Sequence, residues 1–257
     1  MTEHRPTSAP PDTALARALA LVRELRARCP WDRVQTRATL RPYLVEEALE
    51  LDQALKLGDA AGLRDELGDV LLHFAFQIVI GEERGEFDAE AVTHALEEKM
   101  RRRHPHLFGL GDKPPSWELG KRETGKGKRG VLDGLPAALP PLLMAYRLQE
   151  RAAGVGFDWP DASGPMQKVK EEIAELERET GKGKRERLED EVGDLLFAVV
   201  NLARKLAIDP RAALEQANAK FTRRFEAVER LAEQRGLELG RVGLADLDRL
   251  WDEVKAG

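Results

Sequence analysis

One acidic pattern occurs twice in this chain at a single fixed spacing, and it constrains the fold more than any other feature. The first copy is Glu46-Glu47-Ala48-Leu49-Glu50 followed by Glu66-Leu67-Gly68-Asp69. The second is Glu171-Glu172-Ile173-Ala174-Glu175 followed by Glu191-Val192-Gly193-Asp194. Every acid of the second copy stands 125 positions after its counterpart, 46 to 171 and 69 to 194. Residues three and four apart share a helix face. Each segment therefore aims its carboxylates one way, and two such helices packed together converge four or five of them.

The run after each second motif makes that convergence costly. Asp69 leads into Val70-Leu71-Leu72 and Phe74 to Ile80, and Asp194 into Leu195 to Val200. Helices this apolar are expected to be largely buried. Buried acids must be paired, protonated or metal-bound. Several carboxylates without thiolates or paired histidines suit a hard cation, Mg2+, with Mn2+ as its substitute. Charged residues are 34% of the chain, so one E-E-x-x-E alone means only a solvated face. A duplication explains why the copies match, but not why acids beside an apolar run persist in both.

Composition narrows the class further. A chain of 257 residues with 42% hydrophobic and only 5% aromatic residues, rich in Ala, Leu, Glu and Arg, reads as helical. Strand-like alternation is essentially absent. The fold class expected is all-α, two tandem related helical-bundle units. The domain reading is a disordered N-terminus over 1–11, one helical domain over 12–108, a linker over 109–134 and a second helical domain over 135–257. Seven glycines and Pro114-Pro115 mark the linker. Helices are expected from an Asp12 cap to Arg28, over 39–57, to about Glu83, over 88–103, and near 136–153, 165–179, 185–206, 210–235 and 244–255. Cys29-Pro30-Trp31-Asp32 reads as a break, and Gly58-Asp59 as a turn.

A net charge of −5 supplies no global basic field, which argues against duplex nucleic acid as a partner. The single cysteine, Cys29, allows no intramolecular disulfide. The first thirteen residues lack an apolar core, and Val70 to Ile80 is too short to cross a bilayer. These features set the expectation of a cytoplasmic protein without a membrane association.

Basic residues follow the acids in both halves. Lys99, Arg102 and Arg103 form one cluster and Lys220, Arg223 and Arg224 the other, each at i, i+3, i+4. Acids that hold a cation and bases that take phosphate oxygens describe a polyphosphate site. Charge pairing between helices is the plainer reading of either cluster alone. The stretch Glu123 to Arg129 recurs letter for letter as Glu179 to Arg185. Its second copy joins the two acidic helices, where Lys182, Lys184 and Arg185 can close over phosphates.

These motifs together resemble the two-domain MazG nucleoside triphosphate pyrophosphohydrolases. The matching segments are Cys29-Pro30-Trp31-Asp32, both acidic motifs, Arg102 to Phe108, Gly156-Phe157-Asp158-Trp159, Val199 to Arg204 and Asn218 to Phe221. The resemblance implies an all-α homodimer that cuts nucleoside triphosphates between the α and β phosphates. It implies Glu172, Glu175, Glu191 and Asp194 as Mg2+ ligands, and Glu171 as a holder of a second ion or of the attacking water. Lys220, Arg223 and Arg224 are expected to hold phosphate oxygens, together with Lys168 and the Lys182–Arg185 loop. Asn201 lies two turns after Asp194, facing ligand or water. Trp251 is either a platform for the base or an anchor of the last helix in the core. Glu46, Glu47, Glu50, Glu66 and Asp69, with Lys99, Arg102 and Arg103, form a second candidate site. His73, one turn after Asp69, reads as a core histidine or one behind the ligands.

Two other classes stay open at this point. A diiron or dimanganese redox bundle also uses helical carboxylates, but it wants Glu-x-x-His pairs that neither copy has. A non-catalytic helical interaction module with decayed sites would not need the complete set of acids and bases found in the second half.

Overall fold

The computed structural model describes residues 13–112, 130–181 and 183–256. Among these residues there are ten α-helices and no strand. The chain divides into two compact units, the first through Arg102 and the second from Arg103 onward.

The first unit holds α1 (Ala14–Arg28), α2 (Pro30–Arg33), α3 (Arg37–Leu57), α4 (Ala60–Glu83) and α5, which ends the unit (Ala89–Arg103). Its core is Leu19 and Val22 of α1, Leu40 of α3, and Ala75, Phe76, Ile78, Val79 and Ile80 of α4. Charge pairs staple α1 to α4 at the rim: Arg23 donates to Glu82 and Arg26 to Glu83. Arg26 also donates to the carbonyls of Asp32 and Gln35, which fixes the chain around α2. A reciprocal Thr36–Thr39 capping box starts α3. Gly58 ends it at φ +69°, a left-handed position that favours glycine, and Asp59 then caps α4 by accepting from Ala61 and Gly62. That two-residue turn folds α3 back along α4 and places the acids of both helices opposite one another.

The second unit holds α6 (Pro141–Ala153), α7 (Ser163–Thr180), α8 (Arg185–Lys205), α9 (Pro210–Gln234) and α10 (Leu244–Ala256). α7 pairs with α8 as α3 does with α4. α6 lies against α8 and α9, and Gln149 of α6 donates to the carbonyl of Phe197 at 2.8 Å. Val228 and Ala232 of α9 and Leu250 of α10 form a separate apolar cluster, with Trp251 packed against it. Asp158 accepts from Arg204 and Lys205 and ties the Gly156–Trp159 loop to the end of α8.

Several expectations are corrected. α1 is capped by Thr13, whose hydroxyl accepts from Ala16, since Thr13 is the residue directly before the helix. Cys29 to Asp32 does not simply break the chain: Pro30, at the first helical position, starts the short helix α2. The helix expected from 136 starts at Pro141, because residues 131–139 are occupied by turns and prolines. The apolar run after Asp194 is also less buried than expected. α4 exposes Leu71 and Phe74 but buries His73, Ala75, Phe76 and Ile78 to Gly81, whereas α8 exposes Leu196, Phe197 and Val199 and buries only Ala198, Val200 and Asn201. α1 packs on α4 and α6 on α8, and both helices leave one apolar face exposed, at Leu71 and Phe74 in α4 and at the equivalent Leu196 and Val199 in α8. The segment 1–11 and most of the 109–134 segment lie outside the described residues, as does the first copy of the repeated basic stretch.

Candidate metal centres

In the second unit α7 carries Glu171, Glu172 and Glu175, and α8 carries Glu191 and Asp194. Carboxylate oxygens of Glu172, Glu175 and Glu191 all lie within 4.8 Å of one another. Glu172 is only 3% exposed. Its Oε1 is 2.6 Å from the Lys168 ammonium, one turn earlier on α7, which also reaches Glu171 Oε1 at 2.9 Å. The Oε2 of Glu172 is buried with no hydrogen-bond partner. Arg178 pairs with Glu175 at 3.0 Å. Burial pushes the Glu191 carboxyl above its ordinary range, and the charges of Glu175, Glu172 and Asp194 push the same way. Asp194 is exposed and stands beside the trio rather than inside it.

A buried carboxylate oxygen without a donor costs free energy that a bound cation removes. Three converging carboxylates with one orphaned buried oxygen fit a hard oxygen-preferring divalent ion. The donor set contains neither thiolate nor imidazole, as Mg2+ requires.

The first unit repeats the arrangement. Oxygens of Glu47, Glu66 and Asp69 lie within 4.8 Å of one another, and Glu66 Oε2 is buried without a hydrogen-bond partner. Burial raises the Glu47 and Glu66 carboxyls, and the neighbouring acids add to it, Asp69 and Glu50 among them. Glu46 and Glu50 themselves are exposed. Two differences separate the units. Where α7 has Lys168, α3 has Tyr43, so the first trio lacks that ammonium. Where α8 has Ala198, α4 has His73, buried and 4.0 Å from Glu47.

The basic residues do not converge in the same way. Lys220 and Arg223 are exposed and Arg224 half-buried on α9, and none is in an ion pair with the acids among the described residues. Lys99 is exposed, and Arg102 pairs with Glu98 on its own helix. Lys184 and Arg185 are exposed at the start of α8, where Arg185 donates to Glu189. Lys182 lies outside the described residues. Asn201 is buried, and its carbonyl accepts from Arg204 at 3.0 Å and 2.8 Å. Trp251 is half-buried, 5.4 Å from the Phe221 ring.

Sequence reasoning missed two features. The Lys168–Glu172 pair was legible in principle from its i, i+4 spacing. A recess of about 290 Å³ lined by Phe157, Trp159, Phe197 and Asn201 was not, because its walls come from distant segments.

The MazG nucleotide pyrophosphohydrolase domain is matched twice, over residues 35–108 and 163–229, and each match contains one acidic helix pair. A relative in Thermotoga maritima, the nucleoside triphosphate pyrophosphohydrolase/pyrophosphatase MazG, is 44% identical over 89% of this chain and 90% of its own. The nucleoside triphosphate pyrophosphohydrolase of Escherichia coli K12 is 42% identical over 88% of this chain and 90% of its own. The uncharacterized protein YabN of Bacillus subtilis is 42% identical over 92% of this chain, which spans half of that longer protein. With both acidic helix pairs inside the matched segments and alignment over nearly the whole length, this chain belongs to the MazG nucleotide pyrophosphohydrolase family.

Proposed function

We propose that this chain hydrolyses nucleoside triphosphates to the monophosphate and pyrophosphate, using Mg2+ with Mn2+ as its substitute, and that the second unit performs most of the reaction. The observation that carries the reading is the orphaned, buried Oε2 of Glu172 at the centre of a carboxylate trio. The names of the Thermotoga and Escherichia relatives support the substrate class.

Glu172, Glu175 and Glu191 would hold the cation, with Asp194 completing the set from the next turn of α8. A divalent ion there supplies Lewis acidity and offsets charge on the phosphates. Lys168 orients Glu172 and Glu171 together. Glu171, exposed beside the trio, takes the proton of the attacking water. Water oxygen bonds to the α phosphorus as the bond to the bridging oxygen breaks, and pyrophosphate leaves with that electron pair. Lys220, Arg223 and Arg224 bind phosphate oxygens, with Lys182, Lys184 and Arg185 closing over them; Asn201 and Trp251 contribute to substrate binding. The first unit's acids and Lys99, Arg102 and Arg103 form a lesser second site.

The two helical domains are proposed as 12–108 and 135–257. The exposed Leu196, Phe197 and Val199 support a homodimer that covers α8. Among the described residues no helix is long and apolar enough to cross a membrane, and a cytoplasmic setting fits the single cysteine.

The test compares Glu172→Ala and Glu47→Ala at equal folding by circular dichroism, with pyrophosphate release as the readout. The first variant should lose most activity and the second keep most. A dead Glu47→Ala with an active Glu172→Ala reverses the assignment, and release of inorganic phosphate instead of pyrophosphate overturns the bond cleaved.

A further inference from the structure

The recess of about 290 Å³ in the second unit is walled by three aromatic rings, Phe157, Trp159 and Phe197, all of them exposed. Two buried carboxamides also line it, Gln149 at 7% exposure and Asn201 at 9%. The hydrogen bonds fix which way each amide faces. Arg204 donates to Asn201 Oδ1 from Nε at 3.0 Å and from Nη2 at 2.8 Å. A guanidinium has only donors, so the atom it meets is the carbonyl oxygen. The Asn201 Nδ2 is therefore the end left over, and it makes no hydrogen bond among the described residues. Gln149 is the mirror case. Its Nε2 donates to the Phe197 carbonyl at 2.8 Å, and its Oε1 is buried with no hydrogen-bond partner. An unmet buried acceptor costs free energy that a ligand donor recovers.

The recess thus combines aromatic walls with one unspent donor and one unspent acceptor. It offers no unspent charge, because Arg204 is held by Asp158 at 3.1 Å and 2.5 Å. An anion is a poor fit; an uncharged flat ring with donor and acceptor on its edge is a good one. Aromatic faces stack on any such ring. Phe197 and Asn201 stand three and seven residues after Asp194 on α8, roughly 4.5 and 10.5 Å along the axis. In the first unit the position of Asn201 is taken by Phe76, buried in the core, so the feature belongs to the second unit.

We propose that this recess binds the heteroaromatic ring of a nucleoside, with Asn201 Nδ2 donating to a ring acceptor and Gln149 Oε1 accepting from a ring N–H or amino group. Arg204, anchored by Asp158, is the positioning residue that keeps the Asn201 donor turned to the ligand. That the ring belongs to a nucleoside rests on the proposed hydrolysis of nucleoside triphosphates. The ring is either the base of the triphosphate at the carboxylate trio or that of a separate nucleoside.

The experiment uses the full chain in chelator with adenosine, guanosine, cytidine and uridine in turn, which carry no phosphate. Saturation-transfer NMR should show the ring protons of at least one nucleoside receiving saturation. Asn201→Asp keeps the shape and the Arg204 bonds but turns the donor into an acceptor, and should weaken that nucleoside about tenfold. Arg204→Lys, which keeps the ion pair with Asp158 but loosens the Asn201 amide, should weaken it as well and serves if the first variant folds poorly. The same nucleoside is then added to the pyrophosphate-release assay with Mg2+. A higher KM at constant kcat identifies the ring as the substrate's base, and a changed kcat at constant KM identifies a separate ligand. No saturation with any nucleoside, or saturation undiminished in both variants, overturns the inference. Saturation that depends on Asn201, in a chain that releases no pyrophosphate, upholds the recess and overturns the hydrolysis.

Discussion

Lys168→Met isolates the part of the second site that the geometry defines best. The substitution keeps the length and apolar stem of the side chain and removes the ammonium 2.6 Å from Glu172 Oε1. Glu172 is then a carboxylate 3% exposed with a partner on neither oxygen from the described side chains. Removing one member of a fully buried pair costs about 3–5 kcal/mol. Lys168 has a side chain 40% exposed, so water already screens its end of the pair. That screening reduces the expected loss to roughly 1–2 kcal/mol. For a unit of this size the loss lowers the melting temperature by roughly 2–8 °C. The assay is calorimetric melting of wild type and variant in chelator and again in saturating Mg2+. In chelator the variant melts lower. In Mg2+ the difference shrinks, because the bound cation supplies the charge the lysine gave and stabilises the folded chain by mass action. The variant should also bind Mg2+ more tightly, since no ammonium competes for Glu172, even as triphosphate hydrolysis falls. Lys170→Met, on an exposed neighbour, is the control. Identical melting of Lys168→Met and wild type in chelator refutes the burial argument; a difference undiminished by Mg2+ refutes Glu172 as a ligand.

Three further outcomes follow from the same observations. The Glu191, Glu47 and Glu66 carboxyls titrate above their ordinary value of 4.5 in the folded chain. Their contribution is therefore full below the unfolded value and lost as pH rises through the folded one. The rise in melting temperature produced by Mg2+ should be small at the ordinary carboxyl value of 4.5 and grow as pH climbs through the raised folded values, as the cation replaces the departing protons; a pH-independent rise contradicts the clustering. Excess chelator should stop pyrophosphate release and added Mg2+ or Mn2+ restore it, with full activity in chelator as the refuting result. Gly164→Ala should destabilise the second unit by about 1–3 kcal/mol in urea melting, because the new methyl overlaps the Trp159 indole at the start of α7; unchanged stability would show that the indole moves aside freely.

Much of this was legible in the order of residues. Helical periodicity, the Gly58-Asp59 turn and the missing strand alternation fixed an all-α chain, since each depends on neighbours within a few positions. The 125-residue repeat of five acids fixed which side chains converge, because spacing of three and four on a helix, joined by a short turn, leaves the carboxylates one face to share. Local chemistry misled at Asp12 and Cys29 to Asp32, where a neighbouring Thr13 and Pro30 were better placed to start helices. Long-range packing decided the rest. Only tertiary structure shows that Glu172 is buried with one oxygen orphaned while Asp194 stays exposed, since burial depends on what the other helices cover. Likewise only packing sets His73 against Glu47 and engages the Asn201 carbonyl with Arg204. The apolar runs after Asp69 and Asp194 look alike as sequence. α1 packs on the first and α6 on the second, yet the first buries more of its run, because the depth of burial depends on residues that the covering helix brings from elsewhere in the chain.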